Sequence, residues 1–140
     1  MPTHYINTDL KLSAPTELAP MTTALEARGY FTLYDREVDS HWESCCETGE
    51  QYDDPEPNIA AMLSVIEALD GPAKEVWQTC SIREFDIGYE GGYEPFSLKQ
   101  GLSNEVLRRV VESGASLMIT VYRAEPGVGP DEAEDAVDAD

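Results

Sequence analysis

A chain of 140 residues is long enough for one domain with its own core and needs no disulfide or metal staple. Its formal net charge of −19 leaves no basic footprint of the kind nucleic acid requires, and it disfavours anionic membrane surfaces. Cys45, Cys46 and Cys80 are an odd set with two adjacent, which is no disulfide framework and suits a reducing cytoplasm.

The start of the chain, MPTHYINTDL, has neither the basic nor the apolar region of a signal peptide. No apolar run approaches the ~18 residues of a membrane span, so a cytoplasmic location is expected. Residues 5–12 alternate, with Ile6, Leu10 and Leu12 on one face and Asn7, Asp9 and Lys11 on the other, the pattern of a half-buried strand. Ser13 or Thr16 can cap a helix carrying Leu18, Met21 and Leu25 and ending at Gly29. Pro20 removes a backbone donor, so the regular helix is expected to begin there. Residues 30–36 and 40–48 predict two strands joined by a turn at residues 37–39. The second strand places Trp42, Ser44 and Cys46 on one face and His41, Glu43, Cys45 and Glu47 on the other.

A polar loop follows and ends at Asn58, a good helix N-cap. Ile59, Met62, Leu63, Ile66 and Leu69 recur at helical spacing, and Trp42 is expected to face this stripe from the sheet. Asp70-Gly71-Pro72 stops that helix and starts another, with Val76, Trp77 and Cys80 as its buried side. Residues 82–89 predict a strand with Phe85, Ile87 and Tyr89 on one face. Ser103 caps a final helix bearing Val106, Leu107, Val110 and Val111, and Gly114 ends it in the left-handed position. Leu117, Ile119 and Val121 share a face of the last strand. This order predicts an α+β two-layer sandwich, a mixed sheet of about five strands with helices on one face. Its first six elements match a ferredoxin-like βαββαβ run, to which a further helix and strand are added.

Residues 125–140, EPGVGPDEAEDAVDAD, hold seven carboxylates and no basic residue. Such a segment buries too little surface to offset its ordering entropy, so it is expected to be a disordered acidic tail beside a single domain at residues 1–124. Without those seven charges the rest of the chain still carries −12, and no Lys or Arg lies between Arg36 and Lys74. This charge permits a basic partner and equally fits a solvated acidic surface.

The strand HWESCC, the helix of Met62, Leu63, Ile66 and Leu69, the strand FDIGY, and the ending LSNEVLRRVVESGASLMITVY together resemble a bacterial domain-of-unknown-function family. That family has a tryptophan-bearing strand, a helix, an F-x-I-x-Y-like strand and a G-A-S-L-x-I-x-x-Y-like ending. The resemblance covers about residues 40–122, with Gly114, Ala115, Ser116 and Leu117 at the centre of the ending. Members are sometimes proposed as immunity proteins that neutralise a toxin encoded nearby. The resemblance therefore implies an immunity-like binding protein, and it carries over no catalytic residue.

Candidate chemistry is sparse. His41, Glu43, Cys45 and Glu47 share one strand face, but alternate positions lie roughly 6.5–7 Å apart, so all four cannot reach one ion. Neither C-x-x-C nor H-E-x-x-H supports them. Asp53, Asp54 and Glu56 would suit a hard cation but lack the EF-hand spacing and its glycine. His41, Cys45, Asp53 and Asp54 are thus the weak metal candidates. A Cys45 or Cys46 nucleophile with His41 as base lacks an orienting third group, and no G-x-S-x-G elbow exists. No enzyme activity and no cofactor are expected.

The segment GYEGGYEPF at residues 88–96 is no phosphate loop, because G-K-[ST] is missing and Glu90 and Glu94 would repel an anion. Tyr89, Tyr93 and Phe96, with Tyr52, offer rigid contact surface of the kind used at interface hot spots, or else cover the end of the core. The expected role is a non-catalytic binding protein. It would present Glu43, Glu47, Tyr52, Asp53, Asp54, Glu56, Tyr89, Tyr93 and Phe96 to a basic, toxin-like protein partner, with neither nucleic acid nor membrane. The alternative is a small-molecule or metal-binding domain, with a minor enzymatic role, that uses the sheet face around His41 and Cys45.

Overall fold

The computed structural model describes residues 2–94 and 96–123; the acidic segment 125–140 lies outside the described residues. Nine elements follow one another: β1 (His4–Ala14), α1 (Ala19–Glu26), β2 (Phe31–Val38), β3 (His41–Glu47), α2 (Pro55–Glu67), α3 (Gly71–Thr79), β4 (Ile82–Glu90), α4 (Asn104–Ser113) and β5 (Ser116–Tyr122). The strands form one sheet in the order β2-β3-β1-β4-β5. Pairing is antiparallel except for β4 and β5, which run parallel around the α4 crossover. The order β2-β3-β1-β4 is that of a ferredoxin-like sheet, with β5 appended beyond β4. The mixed α+β sandwich expected from the element order is therefore the fold.

Local chemistry explains most boundaries. Pro20 sits in the first turn of α1, whose N-cap is Leu18 without a side-chain bond, so neither Ser13 nor Thr16 caps it. Ser13 is instead buried within β1. The hairpin between β2 and β3 turns on Asp39 and Ser40, with φ of 48° and 71°. Two successive positive φ values give the twist that a two-residue hairpin needs. Asp54, not Asn58, caps α2: its side chain accepts from the Glu56 N–H at 2.9 Å. Asn58 lies inside that helix and is 1% exposed. At α4, Ser103 Oγ accepts from the Val106 N–H at 3.2 Å, and Gly114 closes the helix with φ of 81°.

The core lies between the sheet and the helices. Leu10 and Leu12 of β1 and Phe85 and Ile87 of β4 are buried with Leu18, Met21 and Leu25 of α1 and Ile59, Met62 and Leu63 of α2. Helix α2 packs on β1, while α1 packs on β2 and β3. Trp42 is only partly buried and packs against the core rather than within it, and its strand β3 meets α1. Among the described residues no helix is long and apolar enough to cross a membrane.

Candidate interaction surface at the loop end of the sheet

The C-terminal ends of β3 and β4 point toward two long connections, residues 48–54 and 91–103. Main-chain groups tie them together: Gln100 Nε2 donates to the Asp53 carbonyl at 2.9 Å, and the Ser103 N–H donates to the Glu56 carboxylate. The second connection is also held to the start of the chain, since the Gly92 N–H donates to Thr3 Oγ1 at 2.9 Å. These bonds place Tyr52, Asp53, Asp54 and Glu56 at the same end of the molecule as Tyr89, Tyr93 and Phe96.

Two of the carboxylates already have structural work. Asp54 caps α2, and Glu56 receives the N–H of the residue that caps α4. Asp53 is exposed, as are Tyr93 at 63% and Phe96 on its whole side chain. Tyr89 is partly buried and meets Tyr5 edge-on, with ring centroids 5.7 Å apart. Burial pushes both phenols up, and the nearby Asp54 charge adds to the effect.

Beneath this end lies a buried polar cluster that sequence reasoning missed. Asn58 Nδ2 donates to the Tyr5 hydroxyl at 2.6 Å, and that hydroxyl lies 2.6 Å from Thr8 Oγ1. The sequence marks Asn58 only as an N-cap ahead of the apolar stripe. Its long-range partner was the missing information.

Glu43 lies away from the loops, whereas Glu47 stands at the foot of the first one. Glu43 sits near the β2–β3 hairpin, 3.5 Å from Arg36 Nη2 and 3.6 Å from His41 Nε2. Glu47 accepts from Asn7 Nδ2 at 2.6 Å and borders a groove shared with Gln51 and Tyr52. Both belong to the helix-free face of the sheet, which is a ladder of polar residues. There Lys11 Nζ meets Asp86 Oδ2 at 2.8 Å, and Thr120 Oγ1 donates to Asp86 Oδ1 at 2.7 Å. Burial pushes the Asp86 carboxyl up, but Lys11 and Thr120 outweigh it and hold the group below the ordinary value. Asp9, directly opposite Asp86 on β1, is pushed up to about 6 by burial and by the Glu47 charge.

Cys45 lies in register between Lys11 and Tyr34 and is 2% exposed. Burial pushes its thiol up to about 12, which leaves no useful thiolate at neutral pH. Among the described residues no group of three or more His, Cys, Asp or Glu side chains is arranged to hold a metal ion.

Comparison with protein-family models, curated proteins and solved structures finds no match.

Proposed function

We propose that the protein is a non-catalytic recognition module whose loop end takes a basic protein partner. One observation carries this reading: the acidic loop and the aromatic loop, 40 residues apart in sequence, are bonded into one surface through Gln100 and Ser103. Residues 48–58 and 91–103 hold five carboxylates against one basic side chain, Lys99. Exposed Tyr93 and Phe96 supply anchors of the sort that dominate binding energy, and the carboxylates supply steering. An immunity-like role, with a basic toxin as partner, is the form of this reading that the sequence resemblance implies. Beside Cys45, the polar face of the sheet is tied by bonds from Asn7 to Asp9 and Glu47 and from Lys11 and Thr120 to Asp86, which favours a structural role for that face.

The test begins with affinity capture at low and high salt, followed by association kinetics with the captured partner. Asp53→Asn, Asp54→Asn and Glu56→Gln together should slow association, and added salt should slow it further, because exposed charges are screened within ~8–10 Å. Tyr93→Ala or Phe96→Ala should act mainly on dissociation. An association rate indifferent to both salt and the triple variant would refute the reading.

A further inference from the structure

The two edges of the sheet differ in kind. β2 carries Asp35, Arg36 and Glu37, and its register shifts between Thr32 and Tyr34. Charges and bulges are the devices that keep an edge strand from pairing with another chain. β5, the opposite edge, reads SLMITVY and has no charge and no proline, and its register with β4 is unbroken. Its helix side is apolar, with Ile119 66% and Val121 64% exposed, and on the other face Met118 and Tyr122 are exposed in alternation with Ser116 and Thr120. Helix α4 extends the same patch. Val111 is 74% exposed, and Leu107 lines a groove of about 240 Å³ with Leu117, Ile119, Ile87 and Tyr89.

We propose that β5 and α4 form the interface of a two-fold symmetric homodimer, in which β5 pairs antiparallel with β5 of a second copy and the two sheets become continuous. Three features fit a second copy in particular. The first is charge. Copies of a chain carrying −19 repel one another, so they can meet only along a neutral strip. Residues 104–122 are such a strip, with Glu105 and Glu112 against Arg108 and Arg109. Arg109 is held by Glu67 at 2.8 Å, and Arg108 and Glu112 form an exposed ion pair of their own at 2.8 Å, flanking Leu107 and Val111. In an antiparallel helix pair these two can exchange partners across the axis, each Arg108 with Glu112 of the partner subunit, so the contact is self-complementary as an isologous interface requires.

The second feature is register. Pairing about Ile119 sets that residue against its own copy and Leu117 against Val121 of the partner subunit, so the helix-side face is filled by aliphatic cross-strand pairs. The third is placement. Leu107 of α4 lines one groove with Leu117 and Ile119 of β5, so pairing at β5 sets the two α4 helices on the same face of the joined sheet, on either side of the seam. The antiparallel arrangement also sends the two acidic loop ends to opposite ends of the joined sheet, which limits their repulsion.

Sedimentation velocity and light scattering of the full chain across the micromolar range test this directly. The wild type should be dimeric. Ile119→Lys and Ile119→Glu should each be monomeric yet melt cooperatively, since the site is exposed. Mixing the two in equal amounts should restore a dimer, because position 119 faces itself across the axis. The loop variants Asp53→Asn and Tyr93→Ala should leave the dimer unchanged, which separates this inference from the partner reading. A wild type that is monomeric at every concentration, or a dimer that Ile119→Lys leaves intact, would overturn the proposal. So would a monomer that dimerises only after removal of residues 125–140, because the edge would then belong to the chain's own C-terminal segment.

Discussion

Asp54 is both the N-cap of α2 and a member of the acidic loop, and two substitutions take those roles apart. Its side chain accepts the Glu56 N–H at 2.9 Å. Losing an N-cap acceptor costs ~0.5–2 kcal/mol. The helix it starts buries seven residues, among them Ile59, Met62 and Leu63, so fraying its first turn loosens the core and places Asp54→Ala in the upper half of that range. Asp54→Asn keeps an acceptor of equal quality and removes only the charge. That loss forfeits ~0.3–1 kcal/mol of interaction with the helix dipole, offset in part by relief of repulsion from Asp53 and Glu50. At roughly 2–5 °C per kcal/mol for a chain of this size, Asp54→Ala should lower the melting midpoint by about 3–10 °C and Asp54→Asn by about 2 °C or less. Scanning calorimetry at pH 7, checked by urea titration, reads both. Equal loss in the two variants would show that charge and not capping matters here, and a harmless alanine would show that the cap is absent.

Phe85 is fully buried in β4, so Phe85→Ala should cost ~3–5 kcal/mol and give a marginal or insoluble product; wild-type melting would refute the assigned core. Asp9 has its carboxyl pushed up from 3.8 to about 6, so its ionisation in the folded state opposes folding. That penalty is absent below pH ~4 and grows as pH rises to about 6. Asp9→Asn should therefore raise the melting midpoint at pH 7.5 and lose that advantage near pH 4, as melting curves across pH will show. All three cysteines are buried, and burial pushes their thiols up to about 12, 11 and 11. A thiol reagent should modify none of them in the native protein and all three in urea; rapid native labelling of Cys45 would contradict its place in the ladder.

Local chemistry made much of this molecule legible without coordinates. Alternation in residues 5–12, the stripe from Ile59 to Leu69, Pro20, the break at Gly71 and the caps at Ser103 and Gly114 each act over a few residues, so their effects can be read along the chain. The element order even carried the ferredoxin-like arrangement, because short connections leave few ways to pair four strands. Asn58 was misplaced because a buried Asn and a capping Asn look alike until Tyr5 is brought beside it from 53 positions away.

Strand order could not be read from the run SLMITVY. An apolar strand suits the centre of a sheet or its edge equally well; among the described residues β5 pairs with β4 alone, which leaves Ile119 and Val121 exposed. The acidic and aromatic loops likewise became one surface through bonds between residues 47 apart, and Glu43 left that surface because its register sends it to the other end of β3. Sequence periodicity fixes which face of an element is apolar. Which elements become neighbours depends on the summed burial of the whole chain, and that sum is long-range.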